Sequence, residues 1–524
     1  MAITTAGDLL FYLVFLIWFI TALLIHSFIK TYLKPALSPT STPPSPPALP
    51  LIGHLHLVGK VLPKSFQTLA RRYGPLMQIR LGASACVVVS NADVAKEIFK
   101  TQELNFSSRP EFGSSEYFIY RGSRFVLAQY GDYWRFMKKL CMTRLLAVPQ
   151  LDMFIDVREQ EKIKLVESVM KCYREGKPCH LSSELTTLTN NTICRMAMST
   201  RCSGSHNEAK EIEGLVRTCL ELAGKVSVGD VLGPFKIFDF SGSRRKLVSA
   251  LHKFDRIVER ILKEHEEEAI RGFDADQRKD LMDILLEIYR DSNAELKLTK
   301  KDIKSFLLDV FMAGTDTSSA AMQWAMGELL NRPEAFNKLR EEINAVVGPN
   351  RLVKESDVQN LPYLRAVIRE TLRLHPSAPL IIRECAEDCM VNGSLVKAKT
   401  RVLVNVYAIM RDPELWANPD EFVPERFLES SGEKIGEHQM EFKGQNFRYL
   451  PFGSGRRGCP GASLAMLVMH AAVGALVQCF DWKVKDGEKV DLSTGSGFAA
   501  EMATPLVCYP IPHLKLFLWP QILT

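Results

Sequence analysis

None of the twelve cysteines stands in a C-x-x-C pair, so zinc-ribbon and thioredoxin-like chemistry is excluded. No window gathers Lys and Arg into a stripe interleaved with aromatics, and the net charge of +6 is spread over 524 residues. A nucleic-acid partner is therefore not expected. No fixed-period repeat is present, which removes solenoids and propellers. With 46% hydrophobic and 24% charged residues, the chain can bury an ordinary core without disulfide staples. Its scattered cysteines read as buried free thiols of a reducing compartment, with Cys459 as the exception developed below.

One long run, residues 9–29, lacks Asp, Glu, Lys and Arg altogether. As a helix it would span about 30 Å, the thickness of a bilayer's hydrocarbon core. Lys30 and Lys34 follow it and only Asp8 precedes it, so the positive-inside rule sets the remainder in the cytosol. A cleaved signal peptide would have a basic start and a shorter apolar run. A core helix would be amphipathic, and this run is apolar all round. The expected organisation is a membrane anchor at 1–33, a stiff Pro-rich hinge at 34–50, and one large domain at 51–524.

Past the hinge, residues 76–81 and 85–89 alternate as paired strands joined at Gly82. Helical periodicity then dominates to about residue 375, with amphipathic stretches at 208–226 and 244–269. The charge run at 263–280 reads as a solvated helix end and loop. Short β-branched runs return at 380–405, and a long apolar helix is expected from Ala462 to Phe480. The expected fold class is mainly α with small β-sheets.

The chemistry concentrates in Phe452-Gly-Ser-Gly-Arg-Arg457-Gly-Cys459-Pro-Gly461. A glycine-dense loop leads to a cysteine, and an apolar helix starts immediately after it. The helix's N-terminal dipole and unpaired amides favour negative charge on sulfur. Glycines allow close approach of a flat ligand, and Arg457 can reach an anionic group at its edge. Residues 453–458 also read G-x-G-x-x-G, with a strand-like FRYLPF before them and Asp481 downstream. A dinucleotide site fails here: too little chain remains for a doubly wound sheet, Arg456 and Arg457 occupy the tight turn, and Pro460 breaks the helix entry.

Phe452, Gly455, Arg457, Cys459 and Gly461 together form F-x-x-G-x-R-x-C-x-G, which resembles the haem-binding loop of cytochromes P-450. Other stretches agree with that resemblance. Glu370-Thr-Leu-Arg373 resembles the family's E-x-x-R. The pattern alone has no weight, because Glu268–Arg271 and Glu287–Arg290 match it too. Its setting before Pro376, with Pro424-Glu-Arg426-Phe downstream, singles it out. The resemblance implies a structural network of Glu370, Arg373 and Arg426. Ala313-Gly-Thr-Asp316-Thr317-Ser resembles the distal-helix motif, whose Gly and Thr are poor mid-helix choices and open a kink for oxygen and water. Trp134 and Lys138 resemble a W-x-x-x-R in which Lys replaces the commoner Arg, and Arg383 lies where the family has another propionate-binding Arg. The resemblance covers the chain from anchor to C-terminus and is closest to plant microsomal members.

What the resemblance implies is a triangular α-rich fold preceded by one transmembrane helix, anchored in the endoplasmic reticulum and facing the cytosol. It implies haem b ligated by Cys459, with cofactor contacts at Trp134, Lys138, Arg383, Phe452, Arg457 and Gly461. Electrons would come from NADPH through a membrane-bound reductase, and Thr317 with Asp316 would relay protons to oxygen. Met312, Ala313, Ala378, Ile381 and Phe498 fall in the family's substrate-contact stretches. The expected substrate is a small lipophilic molecule, in first place a triterpenoid or other bulky isoprenoid, and in second place a flavonoid or isoflavonoid. More distant readings are a haem-thiolate isomerase or dehydratase and a haem protein for electron transfer or gas binding. The retained G-x-D-T order argues against the isomerase, and an electron-transfer protein needs no acid–alcohol pair.

Overall fold

The computed structural model describes residues 42–50, 52–82, 84–111, 124–199, 242–271, 278–428, 446–484, 489–495 and 500–513, with parts of 11–22 and 214–222. The helices that position the site are α1 (Leu62–Tyr73), α2 (Asp132–Leu140), α3 (Ile155–Arg174), α4 (Leu181–Met198) and α5 (Ser243–Arg271), followed by α6 (Leu281–Arg290), α7 (Lys300–Leu330), α8 (Pro333–Val347), α9 (Pro362–Leu374) and α10 (Ala462–Cys479). The strands are β1 (Leu76–Leu81), β2 (Ser84–Val89), β3 (Cys179–His180), β4 (Leu380–Glu384), β5 (Cys389–Val391), β6 (Ser394–Val396), β7 (Arg401–Asn405), β8 (Phe480–Val484) and β9 (Val507–Pro512).

β1 and β2 pair antiparallel, with Leu76 opposite Val89 and Leu81 opposite Ser84. Gly82, at φ 60°, makes the reversal. The sheet continues in the order β1-β2-β7-β4. β2 and β7 run parallel, whereas β4 pairs antiparallel with β7. All five residues of β4 are buried. The mixed sheet and its distant second half are the β runs expected at 76–89 and 380–405.

Sequence-local chemistry sets the helix starts. Thr299 caps α7 and Asp280 caps α6, each in a reciprocal capping box with the acid three residues on. α9 begins on Pro362 and stops at His375, the residue before Pro376. α7 is buried over most of its surface and packs most extensively against α4. With α3, α8, α9 and α10 these two helices share one apolar core. α10 is apolar and long enough to cross a membrane, but 78% of it is buried inside the fold, so it is a core helix. Where they are described, residues 11–22 are helical, and Phe11, Phe15, Ile17 and Trp18 on them are all more than half exposed.

Four expectations change. The charge run at 263–280 is not solvated throughout: His265 and Asp280 are buried and paired, Nε2 to Oδ2 at 3.0 Å. The helical period puts His265 on the same stripe as Leu251, Phe254, Val258, Ile261 and Leu262, all buried. The segment before the cysteine loop forms no strand. Tyr449 and Leu450 are buried between two turns instead, because the apolar side chains have a core to enter without a ladder partner. Cys194 is disulfide-bonded rather than a free thiol. Its partner lies outside the described residues, and connectivity is not encoded in spacing. The Pro-rich strip does not end as a free spacer at residue 50. Pro43 and Pro46 are buried, and the Pro44 carbonyl accepts the Gln78 N–H of β1 at 2.8 Å. Most of the expected 208–226 helix lies outside the described residues.

Candidate active site

The cysteine loop closes on itself. Gly453 N–H donates to Leu450 O at 3.0 Å, Gly458 N–H to Gly455 O at 2.8 Å and Cys459 N–H to Phe452 O at 2.9 Å. Gly453 and Gly455 sit at φ 72° and 68°, where a side chain is strained. At Gly455 a Cβ would also lie 2.9 Å from the Phe99 carbonyl. Cys459 is deep in the fold but its surface is open. Burial pushes its thiol pKa up, while N–H groups of Gly461 and Ala462 at the start of α10 and the Lys138 ammonium pull the other way. These are the donors expected to steady a thiolate. A cavity of about 580 Å³ beside the loop is walled by Trp134, Lys138, Phe452, Gly458 and Cys459 among others.

α2 braces this loop. Lys138 was expected at a haem propionate, but its Nζ donates to the Gly458 carbonyl at 2.6 Å. A compact ammonium on a flexible stem satisfies one carbonyl, where a guanidinium would need a fork of acceptors. Trp134 is buried and offers its ring face to the Arg457 guanidinium, 4.3 Å from the centroid. Arg457 Nε donates to Ser107 O at 2.7 Å and Nη2 to the Ala128 carbonyl.

Three guanidiniums interact electrostatically here: Arg383 and Arg457 are buried and Arg109 is half-buried. Burial lowers the pKa of Arg383 well below its usual value, and Arg109 and Arg457 lower it further. Arg457 is brought down to about 9 by burial and by Arg109. Arg109 is lowered by burial and partly restored by Asp309, and its Nε is sealed from solvent without a hydrogen-bond partner. Sheltered cations that raise one another's cost favour an anion among them. A ligand edged with carboxylates, stacked against the glycine loop and ligated by a thiolate, fits the donor set, and haem b is such a ligand. Arg109 was not found from the sequence. A lone Arg before Pro110 reads as a surface charge, and only the fold brings it to Arg383 and Arg457.

On the far side stands α7. Its Thr317 hydroxyl donates to the Ala313 carbonyl at 2.6 Å, and the helix is α throughout, so the hydroxyl competition expected of this motif occurs without a break. A Cβ on Gly314 would lie 2.4 Å from Ile193 Cδ1, which explains the glycine by helix packing against α4. Asp316 is half-buried beside it. The three apolar stretches expected at the substrate interlock. Ser377 Oγ donates to Thr317 O at 2.8 Å, Ala500 N–H to Ser377 O at 3.1 Å, and Trp324 Nε1 to Ala500 O at 2.6 Å.

Ala313 and Ala378 are exposed, each with a buried residue on one side, Met312 and Pro379, and a half-buried one on the other, Gly314 and Ser377. Met312 and Ile381 are buried instead. The Met312 sulfur accepts from Arg124 Nη2 at 3.7 Å, and Ile381 lies under Gly453, because β4 carries it onto the cysteine loop. Phe498 lies outside the described residues. Arg124 and Asp309, both buried, form an ion pair next to Met312 that the sequence did not announce.

Glu370 and Arg373 are fully buried and doubly bonded, at 2.7 and 2.8 Å. Arg426 Nε reaches Glu370 Oε1 at 3.0 Å, and Val423 N–H reaches the same oxygen at 2.9 Å. Arg373 also donates to the carbonyls of Met410, Pro419 and Glu421. Of the two look-alike pairs, Glu287 joins Arg144 and Lys279, and Arg271 joins Glu267.

A family model described as cytochrome P450 matches residues 43–508. The 3,9-dihydroxypterocarpan 6A-monooxygenase of Glycine max is 45% identical over 477 residues, 90% of this chain and 93% of that protein. The beta-amyrin 24-hydroxylase of Glycine max is 42% identical over 515 residues, 97% of this chain and 99% of that protein. A zebrafish cytochrome P450 solved with progesterone superposes with a TM-score of 0.71 at 24% identity, covering 86% of this chain and 99% of that one, and shares the fold.

Proposed function

The chain belongs to the cytochrome P450 family, and on that footing we propose that it oxidises a bulky isoprenoid of the triterpenoid class at a methyl or ring carbon. It is a haem-thiolate monooxygenase that carries haem b, draws electrons from NADPH through a reductase, and acts on a lipophilic substrate with O₂. When bound, the haem supplies the oxygen chemistry, one atom entering the substrate and the other leaving as water.

This chain's residues do the rest. Cys459 would ligate the iron as thiolate, and Lys138 holds the loop carrying it. Arg109, Arg383 and Arg457 would offset the propionate charge. Thr317 Oγ1, once released from Ala313, would hold water and pass a proton, with Asp316 as its acid neighbour. Glu370, Arg373 and Arg426 act only as scaffold.

The observation that carries the substrate reading is the pair of exposed alanines, Ala313 and Ala378, beside an ion pair whose charges already face each other. Room is offered next to Met312, a buried apolar side chain. Phenolic and carbonyl oxygens left unpaired there would cost about 1–3 kcal/mol each. A polycyclic terpenoid needs only apolar area, at about 25 cal/mol per Å². The 42% identical beta-amyrin 24-hydroxylase supports this reading. The test is to incubate reductase-supplied microsomes with a triterpene panel and with flavanone and pterocarpan panels, and to identify products by mass. Turnover confined to the phenolic panels would reverse it.

Residues 1–33 would anchor the protein in the endoplasmic reticulum membrane with the catalytic domain in the cytosol. The exposed aromatic and aliphatic side chains of the helical residues within 11–22 support this. Deleting 1–33 should move the protein toward the soluble fraction with its carbon-monoxide spectrum intact. Loss of that spectrum would show a further role.

A further inference from the structure

Two cysteines outside the haem site stand face to face. Cys385 follows β4 directly and Cys389 opens β5. Both are free thiols, with sulfurs 3.7 Å apart. We propose that Cys385 and Cys389 are a peroxide-oxidisable dithiol that closes reversibly to a disulfide.

A disulfide needs an S–S distance of about 2 Å. Rotation of the two side chains would close the gap, and residues 386–388 between them belong to no helix or strand. The two thiols differ in the way such a pair requires. Cys385 is fully buried, and its Sγ donates to Glu387 O at 3.0 Å. Cys389 is half-exposed, so peroxide reaches it first. Its sulfur attacks one peroxide oxygen and breaks the O–O bond, giving a sulfenic acid and one water. Cys385 then attacks that sulfur and displaces the hydroxyl as a second water. Two thiols lose two electrons and two hydrogens, and one hydrogen peroxide becomes two waters. Burial and the neighbouring thiol hold the Cys385 pKa up, at about 12, and burial raises that of Cys389. The thiolate is scarce at neutral pH, so the pair answers sustained peroxide rather than a brief pulse.

Position gives the bond a consequence. Ala386 N–H donates to Asn105 O at 2.9 Å and Glu387 N–H to Asn105 Oδ1 at 2.7 Å. Glu384 N–H donates to Ser108 O at 2.9 Å. A disulfide would therefore fix the loop that joins Arg383 on β4 to the segment carrying Arg109.

Cleavage after Arg383 and Lys397 releases both cysteines in one peptide, so the test is direct. The full-length holoenzyme is exposed to hydrogen peroxide, its remaining thiols are alkylated, and the peptide is weighed. It should lose two hydrogens, escape alkylation, and recover both thiols with dithiothreitol. Cys385→Ser should leave a sulfenic acid at Cys389 that dimedone traps. A peptide that stays doubly alkylated at peroxide levels oxidising Met390 would overturn the proposal. So would dimedone labelling of Cys385 in the Cys389→Ser protein at the wild-type rate of disulfide formation, since Cys385 would then be the first thiol attacked.

Discussion

The Lys138 ammonium is bonded to the carbonyl of Gly458, the residue before Cys459, at 2.6 Å. This bond ties α2 to the cysteine loop. Lys138→Met should keep the fold but let the loop drift, seen as faster loss of haem to an acceptor protein. Lys138→Arg should fare little better, because the bond is a point contact to one oxygen. Haem loss at the wild-type rate in Lys138→Met would show the contact to be incidental.

Cys459 should be indispensable for the spectrum of the reduced, carbon-monoxide-bound protein. Wild type should show the strongly red-shifted Soret band of thiolate-ligated haem. Cys459→Ala should lack it, and its persistence would remove Cys459 as ligand.

Glu370→Ala strands Arg373 and Arg426, both buried. Breaking one partner of a buried ionic network typically costs about 3–5 kcal/mol. The variant should express as haem-poor, less stable protein, measured by haem-to-protein ratio and melting temperature. A variant with normal haem content that lost only turnover would move Glu370 from scaffold to chemistry.

Thr317→Ala removes a hydroxyl and leaves the helix intact. Haem and substrate binding should persist while NADPH electrons are diverted to peroxide. The readout is product formed per NADPH consumed, which should fall, and an unchanged ratio excludes the proton role.

The His265–Asp280 pair ties α5 to α6 and gives a pH dependence. Its folded pKa is raised to about 9 from 6.5, by the Asp280 hydrogen bond and charge acting against burial, with help from the Ile261 carbonyl and Asp283. A raised pKa means the imidazolium stabilises the fold fully below pH 6.5, and that contribution fades as pH rises through about 9. By about 1.4 kcal/mol per pKa unit it amounts to between roughly 3 and 4 kcal/mol at most. The melting temperature of His265→Gln should be lower at pH 6 and should lose the wild-type decline between pH 6.5 and 9. Parallel curves for the two proteins would sink the assignment.

The residue types that chemistry fixes were legible in the sequence. A thiolate ligand needs a cysteine at a helix start in a glycine loop, so residues 452–461 could be read directly. The Glu370 network was legible because Pro376 and the downstream Pro424-Glu-Arg426 give it a setting that the look-alike pairs lack. What the sequence withheld depends on tertiary approach. Arg109 and Arg383 are hundreds of residues apart, and nothing local marks either as a neighbour of the other. The partner of Lys138 is a backbone carbonyl, which no residue pattern encodes. Ile381 and Ala378 lie three residues apart in one apolar stretch, yet one is buried under Gly453 and the other is exposed, because β4 begins between them.

The docking of the Pro-rich strip onto β1 decides where the chain can be shortened. A protein cut to begin at residue 51 keeps every haem-site residue, yet it takes away the Pro44 carbonyl that pairs with Gln78 and the Pro46 carbonyl that His54 Nε2 contacts at 2.8 Å. His54 in turn accepts the Arg80 N–H through Nδ1 at 2.7 Å, which leaves the proton on Nε2, so the cut would strand that N–H without its Pro46 acceptor. A start at residue 42 spares the whole arrangement. Exchange of the N-terminal segment between related enzymes should therefore be spliced ahead of Pro43, since a junction a few residues later would graft a foreign edge onto the sheet.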